Sequence, residues 1–307
     1  MTGLAEAWLL AFVLAASLGA GALAVLSSGI LLRERWAEPL LPLLSAAARA
    51  MPVLIPLALP LVLMAGDLYP WAGQPQGLAV LAAGAAILSL WAVLGRLLLR
   101  PFRTRWRAGL SLLLIALSAA IGFEDWALSR DLHWAGSLNG IGMLVGGAAA
   151  SLALAVLAHG PPADAEARTG LERALLTLGI AVLWSLFVAF LTVWAADLPA
   201  EAAWYLRRTE GGWFWLKTGL ALPSLLGAIA LSVLPQWRPW RMRAVCALLV
   251  VQHGAIVLWT VRPDVALAPG GTRGGTNPLL DAIVIAAIAL VLVLAGRLAG
   301  RAETRPV

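Results

Sequence analysis

The sequence is poor in charge, cysteine and histidine, and each shortage excludes a class of protein. Only 12% of the 307 residues are charged, which is too few to cover a water-soluble domain and excludes a soluble enzyme. The single cysteine, Cys246, cannot hold an iron–sulfur cluster, a CxxCH haem or an internal disulfide. Of the three histidines only His253 falls within an apolar stretch, and no nucleotide-binding loop is present. We therefore predict a chain with no haem, metal or flavin of its own.

Apolar residues dominate what remains. Hydrophobic residues make up 61% of the chain, and the mean hydropathy is +0.88. Crossing ~30 Å of hydrocarbon takes ~20 residues of helix, so the pattern predicts an all-α, polytopic integral membrane bundle. The first apolar stretch is too long for a cleavable signal peptide and lacks a basic leader, so we expect residues 1–307 to form a single transmembrane domain. The nine predicted spans lie near residues 8–31, 40–65, 77–98, 107–123, 138–158, 174–196, 213–234, 243–261 and 279–298.

Arginine is concentrated in alternate connections between the predicted spans. The chain has 22 basic and 16 acidic residues, and most of the basic ones lie near residues 33–35, 96–107, 168–173, 238–243 and 297–305. By the positive-inside rule that side is cytoplasmic, which places the N-terminus outside and the C-terminus in the cytoplasm. The arginines then maintain the topology and contact anionic lipid, and we predict no nucleic-acid partner.

Three unusual loops then fall on the predicted outer side. They cover residues 67–71, 123–134 and 193–213, and the third, VWAADLPAEAAWYLRRTEGGW, places charged side chains among tryptophans where one apolar helix ends and another begins. Tryptophan and arginine also gather at membrane interfaces as simple anchors. Anchoring does not explain the acidic residues, because carboxylates stabilise nothing in lipid.

The same loops resemble the NrfD-like (polysulfide-reductase-type) membrane subunits, and specifically the ActF-type subunit of alternative complex III. One family pattern aligns with Asp125, Trp126, Leu128, Ser129, Asp131, His133 and Trp134. A second is matched by Trp194, Leu198, Pro199, Glu201, Trp204, Tyr205, Arg208, Gly211, Gly212 and Trp213, and a third, Leu-Tyr-Pro-Trp, stands at 68–71. The chain departs from these patterns at four positions, namely Leu128, Leu132, Ala189 and Asp197.

The resemblance implies a subunit of a quinol-oxidising respiratory complex. Its expected partners are iron–sulfur and haem c subunits and a second NrfD-like membrane subunit, with quinone or quinol as the substrate. A quinol oxidised at the outer face must lose two protons, which requires a base and a carboxylate route to water. The alternatives are a secondary transporter, whose internal repeat we do not find, and a membrane scaffold that has lost the ancestral site.

The candidate residues for the quinone site or proton path are mostly in these loops. His133, with Asp125, Asp131 and Asp197 nearby, supplies a base and carboxylates, or else a network that only orders the loops. Arg207 and Arg208 need compensation, and Asp197 and Glu201 are close enough in sequence to provide it as a structural ion-pair network. His253 is a candidate relay or a hydrogen-bonded packing residue. The full candidate set is Asp125, Asp131, His133, Asp197, Glu201, Arg207, Arg208 and His253.

Overall fold

The structure is a computed structural model that describes residues 2–99, 104–131, 138–197, 199–234, 238–267 and 277–303. Within these ranges the chain is helical and has no β-strand. In the described part of the chain nine helical segments are long and apolar enough to cross a membrane, as the sequence predicts. They are Gly3–Leu32, Arg35–Leu63, Gly77–Leu98, Arg105–Leu128, Leu138–His159, Ala165–Ala196, Gly212–Val233, Pro239–Asp264 and Pro278–Gly300, called here the first to ninth spans.

Local chemistry explains where several spans extend beyond their predicted limits. The sixth span begins at Ala165 because Asp164 caps it, the carboxylate accepting a hydrogen bond from the Ala167 amide at 2.9 Å. The fourth span continues beyond Phe123 as a π-helical segment, Glu124–Leu128. Such a segment keeps backbone groups paired, which hydrocarbon requires.

The second span is interrupted where its prolines recur. Pro52 lies in a short 3-10 segment, Met51–Val53, which joins the helix Leu41–Ala50 to the helix Leu54–Leu63. Proline lacks the amide that would continue the α-helical ladder, so the tighter turn replaces it at this point.

The first span lies at the centre of the bundle. Its most apolar stretch is 78% buried inside the protein, against 17% for the sixth span, which is therefore peripheral. Gly21 and Gly147 let the first and fifth spans touch backbone to backbone, because a Cβ at either position would collide with the facing main chain.

Candidate functional site

Charged side chains from five segments meet at one end of the bundle, the end where the first span begins. We call this the N-terminal end. The segments are the start of the first span, the turn after the fourth, the linking helix Pro199–Arg207 with the turn that follows it, the end of the eighth span and the start of the ninth. They bring together four arginines and four carboxylates, here named the charge cluster: Glu6, Arg130, Asp131, Arg207, Arg208, Arg262, Asp264 and Asp281.

Asp264 and Arg208 form the buried centre of the cluster. An Arg208 Nη donates to the Asp264 carboxylate at 2.6 Å, and both side chains are completely buried. The Trp204 ring lies against the guanidinium, 3.4 Å from ring centroid to Cζ. Burial lowers the pKa of Arg208 to about 10, and the Asp264 carboxylate opposes that shift. The Arg208 guanidinium is therefore charged at neutral pH.

The eighth span ends in this cluster for a local reason. The last carbonyls of a helix have no partners within it and carry the negative end of its dipole, which favours cations. Arg208 donates to the carbonyls of Trp259 at 3.2 Å and Thr260 at 2.6 Å, and Arg130 donates to the Val261 carbonyl at 3.1 Å. Two arginines from other segments thus cap the eighth span.

The rest of the cluster fixes the first and ninth spans to the same point. Arg130 pairs with Glu6 at 2.5 Å, and Arg262 lies 4.0 Å from the other oxygen of that carboxylate. Arg262 also pairs with Asp281. Asp281 lies in the first turn of its helix, where the dipole favours negative charge.

Arg207 marks the open edge of the cluster. It pairs with Asp131 and lies 3.8 Å from Asp264, and 29% of its side chain is exposed, whereas the other seven residues are buried. The second and third of the three unusual loops therefore meet through a direct ion pair.

The first unusual loop, residues 67–71, packs against the second. The Tyr69 hydroxyl donates to the Trp126 carbonyl at 2.9 Å, and the Trp71 indole donates to the Ser129 hydroxyl at 2.8 Å. The two rings of the first loop stack with centroids 4.6 Å apart. Burial raises the pKa of Tyr69, so its hydroxyl stays a donor.

The remaining predicted residues lie apart from the charge cluster. Asp125 lies half-buried in the π-helical end of the fourth span. Asp197 is exposed in a left-handed conformation, φ 48°, at the end of the sixth span, and Glu201 is half-buried on the linking helix. His253 lies deeper, with Nε2 2.8 Å from the Ser17 hydroxyl. His133 lies outside the described residues.

The partners of the two adjacent arginines differ from those expected. We expected Asp197 and Glu201, which are near in sequence, to compensate Arg207 and Arg208. The compensating carboxylates are instead Asp131 and Asp264, from other segments. The linking helix ends against the eighth span, so its last side chains meet acids that are remote in sequence.

Sequence reasoning missed four members of the cluster, Glu6, Arg130, Arg262 and Asp264. A usable signal was present, because each is charged and lies within a few residues of a span end. A fifth member, Asp281, was also outside the candidate set; it lies in the first turn of the ninth span, where the helix dipole favours an acid, and it pairs with Arg262.

Lys217 is a further charged residue that the sequence argument passed over, and it is the one lysine of the chain. It lies on a π-helical segment, Leu216–Ala221, in the seventh span. Its Nζ is 4.2 Å from the Trp259 ring centroid and 5.2 Å from that of Tyr205. Among the described residues no carboxylate lies within ion-pair distance of it, so aromatic faces provide its electrostatic contacts.

These features define a polytopic helical protein of the membrane-spanning class, with a buried charge cluster at one end. In the described part of the chain no group of three or more histidine, cysteine or acidic side chains is placed to hold a metal ion. No known protein-family model matches the chain, and no curated protein is similar enough to count as a relative.

Proposed function

We propose that this chain is a cofactor-free membrane subunit of a quinol-oxidising respiratory complex, similar to alternative complex III, in a bacterial inner membrane. The observation that carries the proposal is the charge cluster. Buried ion pairs are weak contributors to stability compared with apolar residues of the same volume, and charges within spanning segments usually mark a pathway or a site. A cluster of eight charges is therefore better explained by chemistry than by packing.

The chemistry that suits the cluster is proton transfer from a quinol. Oxidising a quinol releases two protons, which need carboxylate acceptors leading to water. One oxygen each of Glu6 and Asp264 is buried without a hydrogen-bond donor among the described residues, so each has free lone pairs for a proton or a water. Arg207, at the exposed edge, marks where such a path would reach solvent.

The family resemblance supports the same proposal. Asp131 belongs to one motif and Arg208 to another, and both lie in the charge cluster. Trp204, from the second motif, lies against Arg208. In this proposal the redox centres belong to iron–sulfur and haem c partners, a second NrfD-like subunit completes the membrane part, and quinone is the substrate.

Purification from native membranes in mild detergent tests the proposal. We expect haem c and iron–sulfur proteins to co-purify with this chain, and the preparation to reduce cytochrome c with quinol. The control is the same purification from a strain that lacks the chain, where both should be lost. Recovery of a homo-oligomer without redox partners would contradict the proposal and favour a transporter.

A further inference from the structure

A small polar pocket lies between the fifth, sixth and eighth spans, close to the charge cluster. Its polar lining comes from Asn139 on the fifth span, Ser185 on the sixth, and Gln252, His253 and Thr260 on the eighth, and Trp259 also lines it. The carbonyl of Thr260 is one of those that accept a hydrogen bond from Arg208. The pocket therefore adjoins the cluster through the last turn of the eighth span.

Three buried polar atoms that belong to the lining have no hydrogen-bond partner in the described protein. They are Oε1 of Gln252, Nε1 of Trp259 and Nδ2 of Asn139. Gln252 is only 1% exposed and Trp259 only 4%. A buried polar atom left unpaired costs about 1–3 kcal/mol, so three of them around one pocket indicate a bound partner.

His253 adds a fourth polar atom. The Ser17 hydroxyl lies 2.9 Å from the Leu14 carbonyl and 2.8 Å from Nε2 of His253, and when it donates to the carbonyl it accepts from Nε2–H. The Nδ1 atom of the neutral ring is then an acceptor. A Cβ added to Gly146 would lie 2.7 Å from Nδ1, so only glycine leaves room beside this atom.

The size and charge of the pocket select the ligand. It has room for roughly one or two water molecules, which is far less than a quinone ring requires. Among the described residues its lining has no charged side chain, so an ion would be buried without compensation. Water suits the lining because one molecule both donates, to Gln252 Oε1 or His253 Nδ1, and accepts, from Asn139 or Trp259.

We propose that this pocket holds bound water, which connects His253 to the charge cluster and extends the proton path into the membrane. The presence of water in the pocket is inferred from the unpaired atoms alone, whereas its role in a proton path rests on the proposed function.

Hydroxyl-radical footprinting by pulsed X-rays tests for the water in the unmodified protein, since radicals formed from bound water oxidise the side chains beside it. Met143 and Trp259 both line the pocket and are nearly buried. Met51 and Trp91 are controls of the same two residue types that do not line it, and they are 2% and 0% exposed against 5% and 4% for Met143 and Trp259. We expect oxidation of the pocket pair to be several-fold faster than that of the controls. Equal rates would overturn the proposal.

A variant distinguishes the presence of the water from its role in the proton path. Gln252→Leu removes an acceptor and fills space, so we expect slower oxidation of Met143 and slower quinol oxidation per assembled complex. Slower oxidation of Met143 with unchanged turnover would leave the water site standing and overturn the path. If the variant fails to assemble, Asn139→Leu provides the same measurement from the fifth span.

Discussion

The two ends of the bundle use the same residue types in opposite ways. At the end away from the N-terminus, Arg35 pairs with Glu166 at 2.6 Å, and the two side chains are 68% and 73% exposed. At the N-terminal end, Arg208 and Asp264 pair at the same 2.6 Å, and both are fully buried. Exposed pairs contribute about 0–1 kcal/mol. Removing one partner of a buried pair costs about 3–5 kcal/mol, because the other charge is left uncompensated.

The opposite end also has a partly buried pair, Arg241 with Glu172. Arg241 additionally donates to backbone carbonyls near the end of the seventh span, among them that of Leu231 at 3.1 Å. Arg241 thus ties the eighth span to the sixth and seventh, and among the described residues its ion pairing extends no further than Glu172. The charge cluster, in contrast, continues from one segment to the next across five, so a change at one residue should be felt throughout the N-terminal end.

The largest expected effect is that of Asp264→Ala. It leaves Arg208 buried without its carboxylate, and we expect a loss of about 3–5 kcal/mol in the free energy of unfolding. The matched change at the opposite end, Glu166→Ala, should cost no more than about 1 kcal/mol. Thermal unfolding in detergent measures both. Equal losses would contradict the distinction between the two ends.

A smaller effect is expected in the coupling of Glu6 and Arg130. Each single substitution, Glu6→Gln or Arg130→Met, weakens a buried pair, and the double variant removes the pair altogether. We expect the double variant to be less destabilised than the sum of the singles, with a coupling energy of about 0.5–3 kcal/mol. A double-mutant cycle of unfolding free energies measures it. Simple additivity would show that these two residues act independently.

The smallest effect is expected at Lys217. Lys217→Met removes a cation from the faces of Trp259 and Tyr205, and we expect a loss of about 0.5–2 kcal/mol. Lys217→Arg retains the charge and the stacking and should remain closer to the native stability. The comparison of the two variants by thermal unfolding is the measurement. Equal losses would mean that the contact between the positive charge and the rings does not contribute to the free energy of unfolding.

The nine spans were predictable because hydropathy and length act within each segment. The sixth span shows the limit of that method, since its nine extra residues follow from the Asp164 cap rather than from hydropathy. The orientation of the bundle stays a prediction from the arginine distribution.

The ion-pair partners were not predictable because they depend on how remote segments pack. Asp264 follows the predicted end of the eighth span by three residues and is 56 residues from Arg208. Sequence distance favoured Glu201, and only the packing of the linking helix on the eighth span selects Asp264. Asp131 and Arg207 are 76 residues apart. The sequence placed their loops on the same side of the membrane, but it did not predict that the two side chains pair.

The most direct test of the central claim is the turnover of Glu6→Gln in the assembled complex. Glutamine keeps a hydrogen-bond acceptor for Arg130 but cannot take up a proton, so quinol oxidation per intact complex should fall by about 10²-fold, at the low end of what positioned proton transfer contributes. Glu166→Gln at the opposite end is the matched control and should leave turnover unchanged. Normal turnover per complex for Glu6→Gln, even with less complex assembled, would contradict the account and make the charge cluster a structural network.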